Sequence, residues 1–263
     1  MNKKHILITN DDGYEAVGLH ALIDALKDDY QLTIVAPTNE KSACAHSLTL
    51  TKPLRFISVE DDFYKLDDGT PTDCIYLALN SLFEVDKPDL IISGINRGAN
   101  MGEDITYSGT AAGAMEGVIH GIPSIAISQV LSFGDQQDAS FELAGITIKK
   151  LTDKIFDKSF PLEAREFINV NIPRVTAKEC KGIKITHAGF REYGNDAHLH
   201  RNPRGEEYYW LGLHPLAWQK REGVVGMSDF DAIKEGYISM TPVKLDLTSY
   251  ERIKTLEAWN SEA

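Results

Sequence analysis

Two adjacent carboxylates, Asp11 and Asp12, follow a short apolar run near the start of the chain. The run, residues 6–8, has the composition of a buried strand, and Gly13 after the acidic pair can turn the chain. Neighbouring carboxylates repel each other and lose hydration when they are crowded, and a bound cation relieves both effects. The same residue types are common in ordinary turns, because Asp caps helices and Gly accepts a positive φ. The acidic pair therefore indicates either a cation site or a turn.

Further oxygen-bearing side chains follow two other predicted strands. Ser42 lies in the loop after the apolar run 32–35, and Asn96 follows the run 89–93. The carboxyl ends of parallel strands meet at one edge of a sheet, where ligands gather. We therefore expect one site composed of Asp11, Asp12, Ser42 and Asn96. This set of oxygen ligands, which needs no Cys or His, favours Mg²⁺, Mn²⁺ or Ca²⁺ over zinc.

A glycine-rich stretch and a helix start form a second candidate binding region. Three glycines stand within residues 94–102, which indicates a backbone that passes close to a ligand. The sequence Tyr107-Ser-Gly-Thr110 then precedes a helix of small residues, 111–120. The N–H groups and the dipole at such a helix start favour a phosphate. An ordinary Ser or Thr N-cap would have the same sequence, so both interpretations stay open.

The elements that carry these residues alternate between strands and helices. Buried-type strands are predicted at residues 6–8, 32–35, 89–93 and 121–128, with short strands at 54–58 and 63–66. Amphipathic or small-residue helices are predicted at 18–27, from Pro71 onwards, and at 111–120. This alternation predicts an α/β fold, a Rossmann-like, doubly wound and mostly parallel sheet. The first turn lacks the Gly-x-Gly-x-x-Gly fingerprint, which disfavours NAD binding.

The C-terminal third has a different pattern. A helix at 140–156 and a strand at 167–172 are predicted as the last elements of the core. The strands predicted beyond it are antiparallel and occupy residues 181–187, 207–213 and 236–240. A final helix is predicted at 248–259. We therefore predict a catalytic core, 1–175, and a C-terminal elaboration, 176–263, that closes the site or pairs subunits within one overall domain.

Composition limits the partners and the compartment. The chain has 263 residues, 43% hydrophobic content and a net charge of −12, which argues against a long nucleic acid as partner. Its three cysteines, Cys44, Cys74 and Cys180, form no Cys-x-x-Cys pair and indicate a reducing compartment. The sequence shows no signal peptide and no membrane-spanning segment. We expect a cytoplasmic protein that does not bind membranes.

Several motifs together resemble the SurE family of 5'/3'-nucleotidases in order and spacing. The N-terminal motifs are Asn10-Asp-Asp-Gly-Tyr-Glu-Ala-Val-Gly-Leu, Gly69-Thr-Pro-Thr-Asp-Cys, Ser93-Gly-Ile-Asn-Arg-Gly-Ala-Asn and Tyr107-Ser-Gly-Thr-Ala-Ala. Asn169-Val-Asn-Ile-Pro173 and Tyr237-Ile-Ser-Met-Thr-Pro242 match the C-terminal half of that family. The resemblance covers nearly the whole chain. It implies a metal-dependent phosphatase that hydrolyses nucleoside 5'- and 3'-monophosphates and also acts on short polyphosphate.

The resemblance also implies roles for particular residues. One divalent cation per subunit, Mg²⁺, Mn²⁺ or Ca²⁺, would be held by Asp11, Asp12, Ser42 and Asn96. The phosphate pocket would contain Asn96, Asn100, Ser108, Gly109 and Thr110. Asp11 and Asp12 would be catalytic, with Asp11 as the base or water-orienting group and Asp12 chiefly a ligand. A phospho-aspartate route stays open at this stage. Members of the family are typically homodimers or homotetramers.

The chain departs from the family at two places. The loop after the second strand reads Ser42-Ala-Cys-Ala-His46, where the family usually carries glycine, and residues 214–223 are an insertion.

A haloacid-dehalogenase-like phosphatase needs Asp-x-Asp after its first strand, but this chain has adjacent aspartates. A response-regulator receiver is about half as long and ends its third strand in Asp. A non-catalytic nucleotide-binding module on the same fold stays possible from sequence.

Overall fold

A computed structural model of the chain describes residues 3–131, 140–192, 197–211, 217–219 and 223–261. The strands are β1 His5–Thr9, β2 Gln31–Pro37, β3 Phe56–Glu60, β4 Phe63–Leu66, β5 Leu90–Arg97, β6 Ser124–Gln129, β7 Glu166–Ile172, β8 Ile183–Ile185, β9 Phe190–Glu192, β10 Ala197–Arg201, β11 Glu207–Leu211, β12 Ala217–Gln219 and β13 Ile238–Lys244. The helices are α1 Val17–Leu26, α2 Pro71–Leu77, α3 Gly109–Ile119, α4 Glu142–Lys158, α5 Asp229–Lys234 and α6 Tyr250–Ser261. A π-helical turn, Ala78–Leu82, extends α2, and a 3₁₀ turn, Gly102–Thr106, precedes α3.

A nine-stranded sheet organises the molecule. Its strand order is β3-β4-β2-β1-β5-β6-β7-β13-β8. The neighbours from β4 through β7 are parallel, whereas β3 is antiparallel to β4 and β13 is antiparallel to β7. The predicted fold class, a mostly parallel α/β sheet, is confirmed. The strand order reverses at β1, which has β2 on one side and β5 on the other, and such a switch point is where ligands bind in open α/β sheets.

Helices cover both faces of the sheet. Ile6 and Ile8 of β1 belong to the apolar cluster that also contains buried residues of α1 and α4. Leu7, between them, belongs to a second cluster with Ile75 of α2 on the opposite face. The alternation follows because successive side chains of a strand point to opposite faces. Strands that are buried on both faces are continuous apolar runs, and these runs made them recognisable in the sequence.

The prediction that strand 167–172 ends the core is wrong. β13 pairs with β7 in the same sheet, with Ser239 opposite Asn171, and β8 pairs with β13. The predicted antiparallel direction of residues 181–187 is wrong as well, because β8 runs parallel to β13. The chain between these two strands includes α5, and parallel neighbours need such a crossover connection. The division after residue 175 stays a prediction, and the sheet runs across it.

The remaining C-terminal elements lie outside the sheet. β10 and β11 form a hairpin, and β9 pairs with β12. β11 confirms part of the strand predicted at 207–213, whose last two residues lie outside the described ranges. α6 confirms the final helix. β9, β10, β12 and α5 were not predicted, since they are short or largely exposed and show little apolar periodicity. Among the described residues, no helix is long and apolar enough to span a lipid bilayer.

Replacement of Leu22 tests the packing of α1 on the sheet. Leu22 is fully buried in the cluster that joins α1 to β1, so we expect Leu22→Ala to lower the free energy of unfolding by about 2–5 kcal/mol. Val85 is 89% exposed, and Val85→Ala serves as the control with a change within about 0.5 kcal/mol. Urea titrations followed by circular dichroism measure both values. Equal stabilities of the two variants would contradict this packing.

Candidate active site

The acidic pair lies at the carboxyl end of β1, beside the end of β5. Thr9 of β1 is opposite Ser93 of β5, and the chain continues from Thr9 to Asp11 two residues later. Asp11 is almost fully buried, and Asp12 is partly exposed. The Asp12 carboxylate accepts the backbone N–H of Arg97 at 2.9 Å. This bond connects the turn that carries Asp11 and Asp12, here called the acidic corner, to the end of β5. The predicted meeting of these two strand ends is therefore present.

A bulge in β5 lies just before Asn96, near this edge. Ser93 is opposite Ala126 of β6, but Asn96, three residues on, is opposite Ser128, only two residues on. An extra residue of this kind re-aims the side chains that follow it. The Nδ2 atom of Asn96 donates to the carbonyl of Gly98 at 3.0 Å, so Oδ1 is the amide atom that a cation would use.

Thr110 at the start of α3 binds the Asp11 carboxylate. Its hydroxyl donates to Oδ1 at 2.5 Å, and its backbone N–H donates to Oδ2 at 3.1 Å. The first turn of α3 therefore faces an anionic group, as its dipole favours. The sequence predicted both Asp11 and Thr110 as site residues but did not predict their direct contact.

The surroundings of Asp11 and Asp12 raise the pKa of both carboxyl groups. Burial, together with the nearby charge of Asp12, raises the pKa of Asp11 to about 6, although the hydrogen bonds from Thr110 oppose this shift. Burial also raises the pKa of Asp12, with a smaller contribution from the charge of Glu40. A cation held between the carboxylates would stabilise their charged forms. The oxygen donors and the crowded negative charge fit a hard divalent cation.

Ser42 lies near this corner, but its hydroxyl points to another partner. The N–H of Lys41 donates to the carbonyl of Asp11 at 2.7 Å, which holds the loop against the acidic corner. The hydroxyl of Ser42 is exposed and donates to Glu40 at 2.7 Å. Its role as a cation ligand therefore stays a prediction. Within the described ranges, no group of three or more His, Cys, Asp or Glu side chains is arranged to hold a metal ion, and the predicted set contains only two such residues.

The start of α3 is tightly packed around Gly109. The hydroxyl of Ser108 accepts the N–H of Ala111 at 2.9 Å, so Ser108 is the N-cap of the helix. A Cβ atom on Gly109 would lie 2.8 Å from both Oδ2 of Asp11 and Sγ of Cys44. Only glycine fits between these atoms without a shift. Cys44 is therefore a neighbour of the acidic corner that the sequence did not indicate.

Asn100 is buried, and its contacts fix the loop that follows β5. Its Nδ2 atom donates to the hydroxyl of Ser128 at 2.8 Å, and its backbone N–H donates to Oδ1 of Asn171 at 2.9 Å. Direct contact of Asn100 with a phosphate stays a prediction. Asn171 was not predicted as a site residue. The signal available was the polar pair Asn169 and Asn171 at alternate positions of an otherwise apolar strand.

Two other polar residues, His46 in the loop after β2 and Asp73 in α2, have structural partners. Nε2 of His46 lies 2.8 Å from Glu116, a buried residue of α3 that also contacts His120 at 3.0 Å. This contact attaches the loop that carries Ser42 to the body of α3. Asp73 completes a capping box with Thr70 at the start of α2, and its carboxylate contributes to helix stability there.

The fold and the site together define a class of protein. A Rossmann-like sheet carries an acidic pair at its switch point, and a helix start faces that pair, which is typical of α/β proteins that bind phosphorylated ligands at the strand ends. Comparison with known proteins identifies the family. The family model described as Survival protein SurE matches residues 6–195, and the chain belongs to the SurE family.

Similar proteins align over almost the full length of the chain. A protein of Aliarcobacter butzleri named 5'-nucleotidase SurE is 64% identical over 97% of this chain and 98% of its own length. One of Wolinella succinogenes with the same name is 66% identical over 97% of this chain and 99% of its own. The crystal structure of the SurE protein from Aquifex aeolicus has a TM-score of 0.82 and 40% identity, and it covers 97% of this chain and 99% of that one.

Replacement of Gly109 tests the close packing at the start of α3. Since the added methyl group would lie 2.8 Å from Asp11 and Cys44, we expect Gly109→Ala to lower the free energy of unfolding by roughly 1–3 kcal/mol. Gly145 of α4 is the matched control, because a Cβ there would lie 3.6 Å from Ala25, an ordinary contact. Gly145→Ala is expected to be neutral or to stabilise by up to about 1 kcal/mol. Thermal and urea unfolding measure both, and a neutral Gly109→Ala would disprove the packing.

Proposed function

We propose that the chain is a hydrolase, a 5'-nucleotidase that removes phosphate from nucleoside monophosphates. The carrying observation is the acidic corner, where Asp11 and Asp12 lie at the switch point and the first turn of α3 contacts Asp11. The names of the relatives, 5'-nucleotidase SurE, support the same activity. We extend the proposal to nucleoside 3'-monophosphates and short polyphosphate, as the family resemblance implies.

The proposed cofactor is one divalent cation per subunit, Mg²⁺, Mn²⁺ or Ca²⁺. The residues proposed to hold it are Asp11, Asp12, Ser42 and Asn96. When bound, such a cation supplies Lewis-acid stabilisation of the phosphoryl group and lowers the pKa of water. The raised pKa of both carboxylates supports this proposal, because it reflects negative charge that burial leaves poorly compensated.

The side chains have separate proposed tasks in hydrolysis. Asp11 is the base or water-orienting group, since a carboxylate at the strand end can accept or orient the proton of the attacking water. Asp12 chiefly holds the cation. The first turn of α3, Ser108, Gly109 and Thr110, is the proposed phosphate site, because the dipole at a helix start favours an anion. Asn96 and Asn100 complete the proposed pocket.

Two alternatives make different predictions for the covalent chemistry. In a haloacid-dehalogenase-like or phospho-aspartate reaction, Asp11 itself would carry the phosphoryl group. Rapid quenching with ³²P-labelled substrate would then trap an acid-stable acyl phosphate on Asp11. Direct attack by water leaves no label on the protein. A non-catalytic nucleotide-binding module would bind nucleotide but release no phosphate.

Removal of the cation and of one carboxylate charge tests the activity. We expect wild type to release phosphate from 5'- and 3'-monophosphates, EDTA to abolish release, and Mg²⁺ or Mn²⁺ to restore it. Asp12→Asn keeps the side-chain shape but weakens a cation site that is worth several kcal/mol to the transition state, so kcat should fall by at least about a hundredfold. Asp61→Asn, in an exposed turn, is the control with wild-type activity. No release with any metal would refute the nucleotidase, and release that survives EDTA would refute the cation.

We propose in addition that the protein forms a homodimer or homotetramer through its C-terminal elements. None of the residues of α6 is buried, and Leu256 and Trp259 are 66% and 71% exposed. An isolated helix of 12 residues is only marginally stable in water, so it needs a surface on which to pack. The β10–β11 hairpin also exposes Tyr209 and Trp210. Large exposed apolar side chains of this kind are typical of an interface.

Substitutions on α6 test this interface. We expect wild type to have the mass of two or four chains, and the double variant Leu256→Ser, Trp259→Ser to have a smaller assembly, because it removes two exposed apolar side chains. Lys254→Ser, on the same helix, is the control with the wild-type mass. Light scattering coupled to size exclusion measures all three. A monomeric wild type would contradict the proposal.

We propose a cytoplasmic location on the basis of the cysteines. Cys44, Cys74 and Cys180 are all unpaired, and unpaired thiols are typical of the reducing cytoplasm.

A further inference from the structure

The segment between β5 and α3, residues 98–108, carries Asn100 and ends at Ser108, and we name it the pocket loop. Side chains from three distant parts of the chain contact it: Asn169 and Asn171 of β7, Arg191 of β9, which contacts Asp104, and Asp229 at the start of α5. The three parts are outside the motifs to which the sequence assigns catalysis or phosphate binding. Their contacts are made mainly with backbone atoms of the pocket loop, so they define the path of the loop.

Two amide side chains of β7 enclose the backbone of Asn100. The N–H of Asn100 donates to Oδ1 of Asn171 at 2.9 Å. The carbonyl of Asn100 accepts Nδ2 of Asn169 at 2.8 Å and Nδ2 of Asn171 at 3.0 Å. Asn169 and Asn171 are fully buried and, being two residues apart on a strand, lie on the same face of the sheet. Every hydrogen-bonding group of the Asn100 backbone is therefore bound by these two amides.

A buried carboxylate holds the loop two residues further on. Oδ2 of Asp229 accepts the N–H of Gly102 at 2.8 Å, while its Oδ1 accepts the N–H of Gly189 and of Phe230, both at 2.9 Å. Asp229 is fully buried, and burial raises its pKa. Gly102 has φ +56°, and a Cβ there would lie 2.6 Å from the carbonyl of Gly189. The backbone of the pocket loop at Gly102 thus lies against the backbone of Gly189, and the Asp229 carboxylate binds the N–H groups of both.

Stability alone does not explain these residues. Four residues of β7, namely Phe167, Ile168, Val170 and Ile172, are buried and apolar. Oδ1 of Asn169 is buried without a hydrogen-bond partner among the described residues, so this amide binds Asn100 through its nitrogen while its own oxygen stays unsatisfied. An unsatisfied buried oxygen is unfavourable, and an apolar residue would pack at this position without that cost. The gain from Asn169 is a fixed position for Asn100.

We propose that Asn169, Asn171 and Asp229 are positioning residues for hydrolysis: they fix the backbone of Asn100 and Gly102 and so hold the pocket loop in its reactive geometry. This inference rests on the proposed nucleotidase function. The side chain of Asn100 donates to Ser128, so a displaced backbone would also disturb that contact. Small displacements of groups that orient a substrate reduce the rate of the chemical step strongly.

Two variants remove the contacts with minimal change of shape. In Asp229→Asn, the single remaining oxygen can satisfy Gly189 and Phe230, and the new NH₂ group then faces the N–H of Gly102 without bonding to it. In Asn171→Leu, the N–H of Asn100 loses its acceptor and the carbonyl keeps only the bond from Asn169, at nearly constant volume. Ser239→Ala is the control, because Ser239 lies opposite Asn171 on β13 and its buried hydroxyl bonds Thr186.

Hydrogen exchange and kinetics are measured on the same full-length proteins, with Mg²⁺ or Mn²⁺ present. We expect exchange in peptides covering residues 97–104 to become about tenfold faster in Asp229→Asn and in Asn171→Leu, but not in Ser239→Ala. We expect kcat to fall about tenfold in the two variants while KM for a nucleoside monophosphate changes by less than about threefold. The double variant should lose less than the product of the single losses, because both substitutions release the same loop.

Each result decides a separate step. Unchanged hydrogen exchange in both variants overturns the proposal that these residues hold the pocket loop in place. Faster exchange with unchanged kcat overturns the positioning role, as does an equal loss of kcat in Ser239→Ala, which would show a general effect of lost stability. If Asn171→Leu fails to fold, Asp229→Asn decides the question alone. A wild-type protein that releases no phosphate refutes the proposed function. The difference in hydrogen exchange then still decides whether Asn171 and Asp229 hold the pocket loop in place.

Discussion

The burial of one carboxylate at the switch point is the constraint on which the rest of the site depends. Asp11 is 4% exposed and raised in pKa, a situation that is unfavourable unless polar partners surround it. Thr110 supplies two of those partners from α3, and the loop after β2 binds the backbone of Asp11 through Lys41. Three segments that are distant in sequence are therefore held together because each satisfies part of the same acidic corner. The glycine at position 109 permits this approach, since a larger residue would displace Asp11 or Cys44.

The same requirement extends into the C-terminal third of the chain. β7 brings Asn169 and Asn171 below the pocket loop, and β13 places Ser239 and Thr241 opposite them in the sheet. The hydroxyl of Thr186 contacts both Ser239 and Thr241. A polar layer thus continues from the pocket loop across β7 and β13. The hydroxyls of Ser239 and Thr241 are buried and need hydrogen-bond partners, and Thr186, which follows β8, provides one for both. The C-terminal strands β13 and β8 thus belong to the same sheet that carries the site.

The sequence predicted the fold where the signal was local. Apolar runs such as residues 89–93 and 121–128 appear as β5 and β6, and the edge of the sheet that collects Asp12 and Asn96 follows from their order. The direction of β8 and the continuation of the sheet beyond β7 were predicted wrongly, because strand pairing depends on partners distant in sequence. Propensity and periodicity contain no information about such partners.

The site was predictable to a similar extent, and for a similar reason. The types and spacing of Asp11 and Asp12 indicated a polar corner, but their contacts with Thr110 and Arg97 depend on how distant elements pack. Asn169 and Asn171 had a readable signal, since polar residues at alternate positions of a buried strand need partners on one face. Asp229 had none, because a single acidic residue after Ser228 looks like ordinary helix capping.

The position of Asp229 shows how the support of the site relates to the family match. The family model covers residues 6–195, whereas Asp229 lies beyond that range, in the part where similarity is seen only with full-length relatives. Its carboxylate nevertheless contacts Gly102, which lies between two of the N-terminal motifs. The carboxylate of Asp229 is buried and accepts three backbone N–H groups. A different residue at this position would therefore require a different loop geometry. The C-terminal segment and the pocket loop therefore form one structural unit, and a change in either alters the contacts that position the other.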